Sequence, residues 1–135
     1  MQLTKNFTLE ELVNSITASN FKIDNTPPPS AIDNLKALAI HTLQPIRDLW
    51  GGPVFVSSGY RCFVLNVKVG GAANSQHMTG QAADISVGDK PANKKLFDMI
   101  AKSNIPYDQL IDEHQYQWVH ISYSTSYNRK QILHL

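Results

Sequence analysis

With 135 residues, 42% of them hydrophobic and 17% charged, the chain has apolar material for one compact core and too little repelling charge for disorder to be its main state. Twelve Lys and Arg against eleven Asp and Glu leave a net charge of +1 with no basic block, so the electrostatic footprint of a phosphate-backbone binder is missing and no nucleic-acid partner is expected. A single cysteine excludes an internal disulfide and a Cys-rich zinc finger, so any metal site must draw on the five histidines and on carboxylates.

The first residues, Met1 to Phe7, contain no apolar run of signal-peptide length, and no later stretch approaches the ~18 apolar residues of a membrane span. No export signal and no membrane span are therefore expected in this sequence. Thr8-Leu9-Glu10-Glu11 is a capping-box pattern flanked by Phe7 and Leu12 at hydrophobic-staple spacing, which predicts a helix from about Leu9 to Ala18. Asp24 to Ser30, with three successive prolines, reads as a stiff connecting loop within one domain. From Ala31 onward, Ile32, Leu35, Leu38, Ala39, Leu43, Ile46 and Leu49 recur at helical spacing, and Pro45 should kink that long helix or end its regular part. Val54 to Ser58 reads as a short strand, Gly59 to Gly80 as a loop-rich stretch, and Gln81 to Val87 as a second strand. Pro91 opens a third helix ending near Asn104, and Gln109–Glu113 with Trp118–Tyr123 form the arms of a hairpin whose turn is His114 to Gln117. The sum is an α+β fold over residues 1–135, with N-terminal helices packed on a small, mostly antiparallel sheet.

Ser75-x-His77-x-x-Gly80-x-Ala82-x-Asp84 sets an imidazole in a loop and a carboxylate seven positions later in the following strand. Strand alternation puts Asp84 on the face away from Ala83, Ile85 and Val87, and His120 on the face away from Val119, Ile121 and Tyr123. If these strands are neighbours, Asp84 and His120 can have Cβ atoms about 4.5–5.5 Å apart, close enough to chelate one ion. Two imidazoles and one carboxylate would leave a fourth position open, the ligand count of a catalytic zinc site, where a bound water has its pKa lowered to about 7. Spacing alone equally allows an ordinary loop-to-strand polar pair.

The surrounding motifs are more specific. Ser58-Gly59-Tyr60-Arg61-Cys62 with Leu65-Asn66, then Val69-Gly70-Gly71-Ala72, Ser75-Gln76-His77-x-x-Gly80-x-Ala82-Ala83-Asp84-Ile85 and Trp118-Val119-His120-Ile121-Ser122 together resemble, in order, the zinc peptidases that include D-Ala-D-Ala carboxypeptidases and phage L-alanyl-D-glutamate endolysins. Phe7 to Leu12, Thr26-Pro27-Pro28 and Asp108-Gln109-Leu110-Ile111 resemble the short, single-domain branch of that family, so the likeness covers nearly the whole chain. The resemblance implies that His77, Asp84 and His120 ligate Zn2+. It implies that Arg61 holds a substrate carboxylate or steadies the oxyanion, and that Ser75 contacts substrate or orients His77; a loop-fixing salt bridge and a turn-forming serine are the alternatives. Tyr60 and Asn66 are expected to be structural, Cys62 to be a small buried hydrophobe, and His41 and His134, outside every motif, to be structural or solvated.

One position departs from the family. Many relatives carry an acidic residue three before the last ligand, as the group that shuttles protons, and here it is Gln117, whose amide cannot do so. With a four-residue turn, Glu113 pairs with Trp118 and Ile111 with His120, so Glu113 shares the face of His120 while Asp112 points away. Glu113 is therefore the candidate base, with Asp112 and His114 as alternatives. The expected activity is zinc-dependent hydrolysis of peptidoglycan stem peptides, either trimming a terminal D-residue or cutting between an L- and a D-residue. The other reading is a wall-binding module without turnover, which Gln117 favours. A monomer is expected, and the wall substrate without an export signal suits a phage or prophage lysin or the mature part of something longer.

Overall fold

The computed structural model describes all 135 residues. Thr8 caps α1 (Leu9–Val13): its hydroxyl accepts from the Glu11 N–H, and the Glu11 carboxylate accepts from the Thr8 N–H. The expected single helix is in fact two. Ser15 adopts an extended backbone and its Oγ accepts from the Ala18 N–H at 3.1 Å, so it ends one helix and caps the next, α2 (Ile16–Asn20). The long apolar stripe begins at Pro29, two residues before the expected start. It runs through α3 (Pro29–Leu38), a π-helical turn (Ala39–Leu43) and α4 (Gln44–Trp50). The expected kink at Pro45 is realised as this π-turn, whose wider register passes the residue that has no N–H to give.

The strands are β1 (Phe55–Ser58), β2 (Ala82–Ser86), β3 (Gln109–Glu113), β4 (Trp118–Ser122) and β5 (Gln131–His134), joined side by side in the order β1, β2, β4, β3, β5. Every pairing is antiparallel except β3 with β5, so the mostly antiparallel sheet is as expected. The fifth strand was not expected: its residues are short, largely exposed and lack an apolar alternation. The loop-rich stretch holds two unexpected elements, α5 (Phe63–Lys68) and a 3-10 turn (Gln76–Thr79). Periodicity misses α5 because its apolar side chains Phe63, Val64 and Val67 face solvent. Asp89 caps α6 (Lys90–Ala101) through the Ala92 N–H.

One face of the sheet carries Ala83, Ile85, Leu110, Val119 and Ile121 into a core shared with Leu35, Leu38, Leu43 and Ile46 of the long helix and Leu96, Phe97 and Ile100 of α6. Full burial of each large side chain is worth about 1.5–3 kcal/mol, so this face is fixed against the helices. Alternation then sends Asp84, Ile111, Glu113 and His120 to the opposite face, beneath the chain between β1 and β2. No helix is long and apolar enough to cross a membrane.

Candidate active site

Strand alternation set Asp84 and His120 on the less apolar faces, and β2 and β4 are indeed neighbours, with Asp84 directly opposite His120. His77 reaches the same point from the 3-10 turn, which Ser75 caps by accepting the His77 N–H at 3.1 Å. The His77 Nδ1 lies 2.7 Å from the Gly59 carbonyl oxygen. A carbonyl only accepts, so Nδ1 carries the proton and Nε2 is left with its lone pair for a metal. Gly59 must be glycine here, because a Cβ would stand 2.1 Å from the Leu12 carbonyl oxygen.

Asp84 Oδ1 is 3.3 Å from His77 Nε2 and 3.1 Å from His120 Nδ1, and one donor atom from each of the three residues falls within 4.8 Å of the others. Ligands about 2.0–2.2 Å from a tetrahedral ion are separated from one another by about 3.3–3.6 Å, so the His77–Asp84 separation matches a shared zinc-sized ion and the His120–Asp84 separation is slightly shorter than that range. All three side chains are buried. Burial opposes ionisation of Asp84, but in the metal-free protein protons on the ring nitrogens of His120 and His77 that face it outweigh burial and hold the carboxyl below the usual range; a metal ion would take the place of those protons. The donors are thus a preformed carboxylate and two oriented imidazoles.

These residues lie in a cleft of about 600 Å³, also lined by Arg61, Ser75, Gln109, Ile111, Glu113, His114, Trp118, Arg129 and Leu133. Glu113 accepts the Trp118 indole N–H at 3.1 Å, and the same oxygen is 3.8 Å from His120 Nδ1. It therefore faces the three donors instead of sitting solvated at the hairpin tip. Asp112 points to the other face, buried and paired with His134. His114 lies in the turn at φ +50, its ring 4.8 Å from that of Trp118. Gln117 is exposed and does not line the cleft; its carbonyl accepts from Asn93.

Each nitrogen of the Arg61 side chain has a partner: Nε donates to Ser58 Oγ at 3.0 Å, Nη1 to Asn66 Oδ1 at 3.2 Å and Nη2 to Asp84 Oδ2 at 3.3 Å. Buried Asn66, expected only to be structural, is what holds the guanidinium; its Nδ2 is in turn fixed by the Ala72 carbonyl at 2.9 Å. Gly71 makes room, since a Cβ there would stand 2.0 Å from Asn66 Oδ1. Cys62 differs from its expected burial: it is partly exposed, and its Sγ accepts from the Leu65 N–H at the start of α5. Tyr60 is buried in the core, His41 stacks on Tyr123, and His134 is exposed beyond its contact with Asp112. Sequence reasoning gave no role to Trp118, Asp108 or Arg129. For Asp108 the motif was visible, but its partner Arg129 lies far along the chain.

An α+β domain in which two strands and a neighbouring 3-10 turn bring three N and O donors together, beside a cleft, defines the class as a candidate metal-site domain. The chain belongs to the Peptidase M15 family, whose model matches residues 5–122. It is also similar to a zinc D-Ala-D-Ala carboxypeptidase of Streptomyces albus G, 45% identical over 49 residues, a match that covers 36% of this chain and 19% of that protein.

Proposed function

We propose that this chain is a zinc-dependent peptidase that hydrolyses bonds in the stem peptides of bacterial peptidoglycan, of D-Ala-D-Ala carboxypeptidase or L,D-endopeptidase type. The observation that carries the reading is the Glu113 carboxylate on the same face as His77, Asp84 and His120, 3.8 Å from His120 Nδ1. His77, Asp84 and His120 would hold Zn2+, with the ion supplying Lewis-acid polarisation of the scissile carbonyl and activation of water. Glu113 takes a proton from the attacking water and returns it to the leaving amine. The Trp118 N–H keeps the carboxylate turned into the cleft for both transfers. Arg61 orients Asp84 through its 3.3 Å contact and places positive charge beside the developing oxyanion. Ser75 fixes the backbone of His77 and stands at the cleft wall, within reach of substrate.

The exposed amide of Gln117, which favours a wall-binding module without turnover, is outside the cleft, and Glu113 approaches from the neighbouring strand in its stead. The test is release of amino groups from peptidoglycan by protein carrying one equivalent of zinc. Glu113→Gln is expected to lower release by about 10²–10⁴-fold with zinc still bound. Full activity in that variant would remove Glu113 from the chemistry, and no release by the unaltered protein on several wall chemistries would support the binding module.

A further inference from the structure

The cleft holds a second arginine, and its bonding differs from that of Arg61. The loop between β4 and β5 brings Arg129 over Asp108, where its backbone N–H and Nε donate to Oδ1 at 2.9 and 3.0 Å and Nη2 donates to Oδ2 at 2.8 Å. This side-on pairing uses Nε and one hydrogen of Nη2. Both hydrogens of Nη1 and the second of Nη2, the end-on edge of the guanidinium, have no acceptor in the protein. The side chain is 50% exposed and lines the same cleft as the His/Asp/His group, whereas Arg61 already donates from all three of its nitrogens, keeps a single N–H on each Nη and is only 14% exposed. Gln76, next to the candidate ligand His77, donates to the same Asp108 Oδ2 at 3.0 Å and so ties the arginine's anchor to the metal-bearing turn. A guanidinium pinned on one edge loses little further side-chain entropy when the other edge takes a planar anion, and two parallel N–H groups match a carboxylate.

We propose that Arg129 is a specificity-determining residue that binds a carboxylate carried by the substrate beside the scissile bond and so selects acidic over amidated stem peptides. The proposal rests on the peptidase reading above. A carboxamide at that position offers one oxygen in place of two and turns an N–H₂ toward the guanidinium N–H groups, so the discrimination comes from lost pairing as well as lost charge. Between this subsite and the proposed catalytic groups, Ile111 and Leu133 line the cleft with apolar surface that offers no competing acceptor.

The experiment compares two synthetic stem-type peptides, identical except that the residue flanking the scissile bond carries a free carboxylate or its amide, with the zinc-loaded protein. The unaltered protein is expected to favour the acid by tenfold or more in kcat/KM, mainly through KM. Arg129→Gln should reduce that preference to less than twofold while still turning over the amide. Equal rates on both peptides by the unaltered protein, or a preference that survives in Arg129→Gln, would overturn the assignment. If the variant does not fold, 15N spectra of the arginine side chains in the unaltered protein decide: the Arg129 guanidinium resonances should move with the acid and not with the amide, and unmoved resonances reject the subsite. Should the unaltered protein cleave neither peptide, the peptidase reading fails by itself, and the same titration still scores binding at Arg129.

Discussion

Two aspartate–arginine pairs each set an arginine on the wall of one cleft, and they are built for different work. Asp84 with Arg61 lies at the centre of the sheet, with the Asp84 carboxylate shared among one guanidinium and two imidazoles. Those imidazoles are themselves candidate metal donors, so Asp84 shares with them a point where an ion could sit. Asp108 with Arg129 lies at the sheet's end, and both of its oxygens are filled by N–H groups of Arg129 and Gln76. In the first pair the arginine serves the carboxylate, which has capacity to spare; in the second the carboxylate serves the arginine. What separates a ligand from a clamp is which partner keeps unused hydrogen-bonding capacity toward the cleft, and neither burial nor residue type reports that alone.

The sharpest break of this comparison is exchange of the carboxylates. Asp84→Asn should weaken zinc binding and lower peptide hydrolysis by more than the roughly 10–100-fold typical of losing a group outside the coordination sphere, measured by metal content after dialysis and by amine release. Asp108→Asn should leave zinc content unchanged, and equal zinc loss in the two variants would end the distinction. A smaller effect is expected at the first arginine. Arg61→Lys keeps the charge but cannot meet Ser58, Asn66 and Asp84 together, so it should lower kcat/KM by about 10–100-fold. It should also lower the melting temperature, because buried Asn66 Oδ1 loses its donor. Unchanged kinetics in Arg61→Lys would reduce that arginine to a charge near the site.

How much of this was legible in the sequence depended on the range of the interaction. The opposition of Glu113 to Trp118 follows from the two-residue period of strands and a four-residue turn, whereas the same period gave only the faces of Asp84 and His120, whose pairing needed the structure to make β2 and β4 neighbours. The same arithmetic separated Glu113 from Asp112, which do face opposite ways. Local signals failed where the apolar pattern did not point inward, as in α5, or where a second cap interrupted a helical period, as at Ser15. The Arg129 clamp was invisible for a different reason: Asp108 and Arg129 are brought together by β5 returning parallel to β3, a long-range pairing of largely exposed residues that no periodicity encodes. Asn66 was likewise visible as a motif residue, but the donor it receives, Arg61, is defined only once Gly71 has let the loop close over it.

The smallest expected effect concerns the clamp's dependence on acid. The hydrogen bond from Arg129 is the main reason the Asp108 carboxyl sits below its ordinary value; burial opposes it, and the backbone N–H and charge of Arg129 and the Gln76 amide add to it. A depressed folded-state value means that the unfolded chain binds the proton more readily, so the contribution of Asp108 to stability is complete well above about pH 3.9 and is lost as the pH falls through that value and below. Asp108→Asn removes the charge at every pH. At neutral pH it should melt lower by an amount equivalent to about 1–3 kcal/mol, because Arg129 keeps at most a weaker acceptor. As the pH is lowered from about 6, the gap between the two melting temperatures should hold until about pH 3.9 and narrow below it, since protonation takes from the unaltered protein what the substitution has already taken. A gap that stays constant from about pH 6 down to the lowest pH at which both proteins still fold would show that shape and not charge holds the β4 to β5 loop in place. The arginine edge facing the cleft would then owe its position to the backbone bonds that join Gln131 to Asp108 and Lys130 to Tyr107.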